Sequence, residues 1–339
     1  MANLRGYLSK AFTGSFLTIF LPFFFIISLV YLVKIASLTA KIAMSFQELL
    51  TLYSYSIPDI LFYTLPLSFV ATVAILLVRL SMENELIALY ALGVPAHKIV
   101  RYFLLLGVLF STFLLALSLL AMPLTKQYYK AFKNAKIDDA RLSIQAGELG
   151  QKFGSYYIYM REKKGDTFYD LVIYNHTKGM QEQFFSSKEG KINHYQGVTS
   201  LLLKDGYGYT YTKEKLQQLQ YQTLEIFNTL EREVFHFQST LHYWLQAQQN
   251  HRVLRKLIFY IFISFIPLLS VYLVASFTMI NPRYQKNYAF VSIFATTLFF
   301  YLLASSLGKW GSFSLLFTLS ALIFILGRLL FHWRVSKYF

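Results

Sequence analysis

Two groups of charged residues stand where they could do chemistry, and both point to binding rather than bond-making. Glu83 and Glu85 open the stretch SMENELIALYALGVPAHK, residues 81–98, which lies between two long apolar runs. On a helix, Leu86, Leu89, Tyr90 and Gly93 share one face at i, i+3, i+4 and i+7. The acids then occupy the first turn, where they suit the helix dipole. Gly93 can take the left-handed position after the last turn, and Pro95 prevents continuation. The second group is Lys34 and Lys41, just beyond the first apolar run. On a continuing helix they share a face about 10 Å apart along the axis, a placement suited to phosphate groups. Snorkelling of both side chains toward lipid headgroups is the simpler alternative.

Catalytic constellations do not emerge. The sequence has no GxxxxGK[ST] phosphate loop and no HExxH, so it carries neither of those nucleotide or zinc signatures. His236 and His242 are six residues apart, off a common helix face, and there is no cysteine to ligate a metal or act as a nucleophile. No enzyme activity, metal or cofactor is expected. Asp59, beside Pro58 at the edge of the second apolar run, reads as an end-of-helix charge rather than a proton relay. The energy source for any transport is therefore external.

The elements that must position these residues are membrane spans. The chain is 55% hydrophobic and 14% charged, against about 25% charged in soluble domains. Uncharged runs cover residues 11–33, 60–78, 102–125, 257–282, 287–308 and 310–327, each near the roughly 20 residues a span requires. These lengths argue against buried helices of a large soluble protein. Only Lys309 separates the last two runs, a tight hairpin. The first run exceeds a signal peptide's apolar core and lacks a cleavage site, so it is read as a retained span.

Between the third and fourth spans lies a polar block that reads as β-structure. SYYIYM and FYDLVIY flank REKKGDT as a hairpin with Gly165 and Asp166 in its turn. VTSLLLKDGYGYTYT repeats the pattern, with Asp205 and Gly206 as its turn signal and Tyr207, Tyr209 and Tyr211 alternating on one face. LQQLQYQTLEIF fits strand or helix. HYWLQAQQNHRVLRKL reads as an extension feeding the fourth span. The expected domains are residues 1–125 with the short helix at 81–95, an inserted β domain at 126–250, and residues 251–339.

The net charge of +15 favours a membrane surface or anionic lipid over nucleic acid, because the basic residues cluster at span ends. Arg5, Lys10, Arg79, Lys98, Arg101, Arg283, Lys286, Arg328, Arg334 and Lys337 lie on one side, against Lys34, Lys41 and Lys309 in the short loops opposite. The positive-inside rule then puts both termini inside and the β domain outside. Lys126, Lys130, Lys133, Lys136, Arg252, Arg255 and Lys256 lie on that outer side. An anionic ligand or headgroup contact would account for them. The short helix at residues 81–95 is acidic where interface helices are basic. That favours a protein partner with a basic, apolar groove.

At this point the sequence resembles the lipopolysaccharide-export permeases of the LptF/LptG family. ENELIALYALG is similar to the family's coupling-helix pattern at Glu85, Leu86, Ala88, Ala91 and Gly93. IPDILFYTLPLSF, with Pro58 and Pro66, looks like its second span, and SFTMINPRYQKN, with Pro282 and Arg283, like the loop after its fourth. The three-plus-three layout covers the whole chain. The resemblance implies a polytopic α-helical membrane protein with six transmembrane helices and an inserted periplasmic all-β jellyroll-like domain, resident in the bacterial inner membrane. It further implies a permease subunit of an ABC exporter that extracts lipopolysaccharide. Two copies of the cytoplasmic ATPase LptB would dock on the coupling helices of one F-type and one G-type subunit. The β domains would pass lipid toward LptC and LptA. On this reading Glu83, Glu85, Leu86, Leu89, Ala91 and Gly93 form the ATPase-docking set, and Lys34 and Lys41 the substrate-binding set. The shared features leave F-type against G-type open; F-type is the working assignment. Alternatives are a permease of another ABC class, for lipoprotein release or mechanotransmission, and a non-transport scaffold working through its β domain.

Overall fold

A computed structural model describes residues 4–39, 44–142, 147, 151–153, 156–165, 167–177, 181–195, 198–212, 215–227, 237–280, 289–310 and 312–336. The described chain runs α1 (Leu4–Thr39), α2 (Phe46–Met82), α3 (Glu85–Ala91), α4 (Ala96–Ala116), a π-helical turn (Leu117–Ala121) and α5 (Met122–Leu142). Six antiparallel strands follow: β1 (Gln151–Phe153), β2 (Tyr156–Lys164), β3 (Thr167–Thr177), β4 (Gln181–Tyr195), β5 (Val198–Thr212) and β6 (Lys215–Phe227). The chain ends with α6 (Thr240–Leu245), α7 (His251–Thr278), α8 (Ala289–Trp310) and α9 (Phe313–Phe331). Among the described residues, six helices are long and apolar enough to cross a membrane. The sheet is inserted between the third and fourth of them. Contacts divide the chain into two units: one is residues 1–38, 45–129 and 237–339, the other residues 39–44 and 130–236.

The helices outrun the uncharged runs. α1 has 36 residues and α2 has 37, about 55 Å each at 1.5 Å per residue, against a hydrocarbon layer of about 30 Å. Helical hydrogen bonds are internal and continue into water, so the first and last charges of a run mark the apolar layer rather than the helix end. Ser45 starts α2 with a capping box: its N–H donates to Glu48 Oε2 at 2.8 Å, and its hydroxyl accepts from Glu48 N–H at 3.4 Å. Asp59 consequently lies inside α2, not at its edge.

Within the helical unit α2 and α7 are the most buried spans, whereas α1, α8 and α9 expose most of their apolar surface. The third span meets α7 through small residues at Gly107, Ser111 and Ser118, which let the backbones approach. A Cβ on Gly107 would lie 3.0 Å from the Pro267 carbonyl oxygen. Leu268 N–H donates to Ser111 Oγ at 3.3 Å, and the hydroxyls of Ser118 and Ser264 are 3.3 Å apart. These contacts surround Pro267, which interrupts the α7 hydrogen-bond ladder. Trp244 of α6 donates its indole N–H to the Leu119 carbonyl in the π-helical turn at 2.8 Å. The segment feeding the fourth span is thus tied to the third.

In the β unit every described strand pairs with its sequence neighbour, an up-and-down meander. β2 and β3 form the expected hairpin, with Gly165 at φ +60° in its turn. LQQLQYQTLEIF is strand, as part of β6. Asp205 and Gly206 do not form a turn: they lie within the continuous strand β5. Asp205 has φ +50°, as does Asp170 in β3. Arg161, Asp170, Lys188, Asp205 and Gln222 form one line across β2 to β6, and the ladder skips that line in every strand pair. At the line β3, β4 and β5 slip phase. The buried residues are Phe168 then Leu171 and Ile173 in β3, Ser187 then Gly190 in β4, and Leu203 then Gly206 in β5. Because these strands slip together, their register survives. Asp tolerates the left-handed region better than most residues, which is why the same Asp-Gly chemistry marks turns and serves here as a slip.

Candidate functional site

The junction between α2 and α4 is built by three local devices. Asn84, at φ 60°, turns the chain after the Glu83 cap of α2. α3 then runs for seven residues. It ends in a Schellman motif: Gly93 at φ 75° donates to the Tyr90 carbonyl at 2.9 Å, and Val94 donates to the Leu89 carbonyl at 3.0 Å. Leu89 and Val94, the pair that closes such a motif, both pack on the apolar core. Pro95 is the N-cap of α4.

The faces of α3 are the reverse of the simplest docking picture. Leu86 is buried inside the helical unit, and Leu89 and Tyr90 are half-buried against the same core. The stripe of Leu86, Leu89 and Tyr90 therefore anchors α3, and Leu86 is withdrawn from the docking set. The outward surface consists of Met82, Glu83, Ile87, Ala88, Ala91, Leu92 and Gly93, with Leu92 79% exposed. Glu85 is half-exposed and accepts a hydrogen bond from the Tyr7 hydroxyl of α1. Burial of the Tyr90 ring pushes its hydroxyl pKa upward, so it stays neutral. Helical periodicity identified the stripe; it could not say which partner, core or docking protein, would cover it.

Ser81 connects this junction to the second half of the chain. Its hydroxyl is buried, lies 2.9 Å from the Leu77 carbonyl and 3.2 Å from the Thr278 carbonyl, and accepts from Ile280 N–H at 3.2 Å. A serine four residues from α3 thereby caps the end of α7.

A second cluster lies toward the other end of α2 and α7. Lys126 Nζ is 3.2 Å from Asp59 Oδ1 and donates to the Tyr260 hydroxyl at 2.5 Å. One lysine so joins three helices. Asp59 is largely buried, with 18% of its side chain exposed against 44% for Lys126. Its Oδ1 has no aligned hydrogen bond, so the pair is held by charge more than by geometry. Lys34 is exposed on α1, with Nζ 5.6 Å from the Tyr31 ring centroid. Lys41 lies outside the described residues. The Asp59–Lys126 pair was missed in the sequence, although both residues flank apolar runs at the same presumed level.

The sheet presents one further candidate surface. Tyr157, Tyr174, Phe184 and Tyr209 are register partners across β2, β3, β4 and β5, so they form one row on the face opposite Ile158 and Ile173. Tyr157, Tyr174 and Phe184 are exposed, as are Tyr207 and Tyr211 on the same strand face as Tyr209. Tyr209 itself is half-buried.

The family described as lipopolysaccharide export system permease LptF/LptG matches residues 6–336. No curated protein matches the chain.

Proposed function

Because the chain belongs to the lipopolysaccharide export permease family LptF/LptG, a multi-pass inner-membrane transport family, we propose that it is one of two permease subunits driven by a separate cytoplasmic ATPase. The observation that carries this reading is α3: a short, firmly anchored helix between two spans whose outer surface is apolar and acidic. Two LptB copies would bind the α3 helices of this subunit and its F- or G-type counterpart. Glu83, Ile87, Ala88, Ala91, Leu92 and Gly93 would form the contact, with Glu85 steered by Tyr7. Leu89 supports the contact from beneath.

On the substrate side, Lys34 and Lys41 would meet the phosphates of lipopolysaccharide as flexible point charges. The β unit would lie in the periplasm. Its outward aromatic row supplies apolar surface of the kind acyl chains require before they pass to LptC and LptA. In this pairing the chain would be the F-type subunit.

A pull-down of the assembled complex tests the docking surface. Ile87→Asp or Leu92→Asp places a charge in a contact core, where a buried unpaired charge is strongly unfavourable. Either variant should lose the ATPase while the permease remains inserted and pairs with its counterpart. Leu86→Ala should instead lower the permease's own stability, by about 2–5 kcal/mol for a buried leucine. Retention of the ATPase at wild-type yield in both aspartate variants would reject the α3 surface as the docking site. Mass spectrometry of the same preparation should find bound lipopolysaccharide, and its loss in Lys34→Glu would support the headgroup role.

A further inference from the structure

Asp59 has no place in the proposed transport reading, yet it is an acid embedded among groups suited to bind an anion. We propose that Asp59 is a built-in competitor for the phosphate headgroup of the exported lipid: it holds Lys126 when the site is empty and is displaced when substrate arrives. The inference rests on the export reading and deepens it.

The geometry separates the roles. Lys126 Nζ is 3.2 Å from Asp59 and 2.5 Å from the Tyr260 hydroxyl, but its side chain is 44% exposed. The ammonium is therefore held by two partners while nearly half of the lysine side chain remains exposed. Lys34 is exposed on α1. A phosphate accepts hydrogen bonds from lysine as a carboxylate does, with more charge and more acceptor oxygens. It can take Lys126 from a carboxylate that holds it at 3.2 Å through an oxygen, Oδ1, without an aligned hydrogen bond. A neutral headgroup cannot.

Displacement leaves Asp59 buried beside a second anion, an unfavourable state. That penalty weakens headgroup binding and drives the lysine back to Asp59 once the lipid moves on. An exporter gains from this: a site that binds phosphate too tightly would retain its cargo. Asp59 thus acts as a specificity and release determinant without needing to touch the substrate.

The test uses the full complex with its ATPase in nanodiscs, without nucleotide, and measures lipid A affinity. Asp59→Asn should tighten binding about tenfold, within the ordinary range of coupling between sites, and slow lipid release on adding ATP. Asp59→Glu, which keeps the charge, should stay near wild type. Lys126→Gln should weaken binding, and in that background Asp59→Asn should tighten it clearly less than in the wild type, because the competed-for partner is gone. If Asp59→Asn does not assemble, Asp59→Ser serves as the neutral variant. Unchanged or weaker binding in the neutral variant, or equal tightening with and without Lys126, would overturn the proposal. So would tightening toward dephosphorylated lipid A. Displacement of lipid A by phosphatidylglycerol at matched concentration would assign the cluster to bulk lipid and also overturn it. If Lys34→Glu abolishes binding while Asp59→Asn has no effect, the headgroup site stands and only the competitor falls. If neither Lys34→Glu nor Lys126→Gln changes affinity, the headgroup reading itself fails.

Discussion

Single atoms decide several of these features, and Gly206 shows how. Its backbone does not need glycine's torsional freedom; the space around it does. A Cβ there would lie 2.1 Å from the Ser186 carbonyl oxygen and 2.5 Å from the Tyr221 hydroxyl, which itself donates to that carbonyl at 3.0 Å. Gly208 is less constrained, since its Cβ would meet the Phe185 ring at 3.0 Å, and a ring can shift. Gly206→Ala should therefore destabilise the β unit by about 3 kcal/mol or more, at or beyond the usual overpacking range, and Gly208→Ala by clearly less. Limited proteolysis of the full chain, read as cleavage within residues 156–227, checks the order. Equal protection of both variants would refute the packing argument. Ser187 supports the same region. Its buried hydroxyl lies 2.6 Å from the Glu189 carbonyl and 2.7 Å from the Lys204 carbonyl, and accepts from Lys204 N–H at 3.1 Å. It supplies hydrogen bonding beside the line where the ladder is skipped.

Elements were legible in the sequence where their signal was local. Gly93 and Pro95 fixed the end of α3 because left-handed backbone and a missing N–H are properties of single residues. The six spans followed from run length. What failed was whatever depended on a partner out of sequence range. The stripe at Leu86 was visible, but not that the core of the helical unit would cover it. Asp205 and Gly206 carried the turn signature, but whether a left-handed aspartate reverses a chain or slips a strand is settled by the neighbouring strands, which slip at the same line. Asp59 and Lys126 are 67 positions apart in the numbering and meet only because α2 and α5 are neighbours. Ser81 belongs with these: an ordinary serine in sequence, it bridges the α3 junction to the end of α7. If α3 passes ATPase movement to the second half of the permease by this route, Ser81→Ala should raise ATP consumed per lipid released, with assembly unchanged. Ser81→Thr, which keeps the hydroxyl, should restore the ratio. An unchanged ratio in Ser81→Ala would mean the bridge is only structural.

At the scale of the whole molecule, the mechanism depends on which side of the membrane each unit occupies. α3 can meet a cytoplasmic ATPase only if the β unit is outside. The argument for that is electrostatic. Basic residues crowd the loops and ends on the side of α3, including Arg79, Lys98, Arg101 and Arg328, while the opposite ends of the apolar runs and the short segments joining them hold Lys34, Lys41 and Lys309. Lys and Arg near span ends resist translocation, whereas long translocated domains are largely exempt. The basic residues of the β unit therefore do not oppose this orientation. The absence of cysteine from the chain makes single-cysteine labelling unambiguous, provided exposed positions are chosen. Ser187 is unsuitable because it is buried. Tyr211, 55% exposed on β5, and His97, exposed at the start of α4, are suitable. Tyr211→Cys should react with an impermeant maleimide in spheroplasts whose inner membrane is intact, and His97→Cys only after lysis. The reverse pattern would place α3 in the periplasm, out of reach of any ATPase, and would remove the physical basis for coupling in this permease.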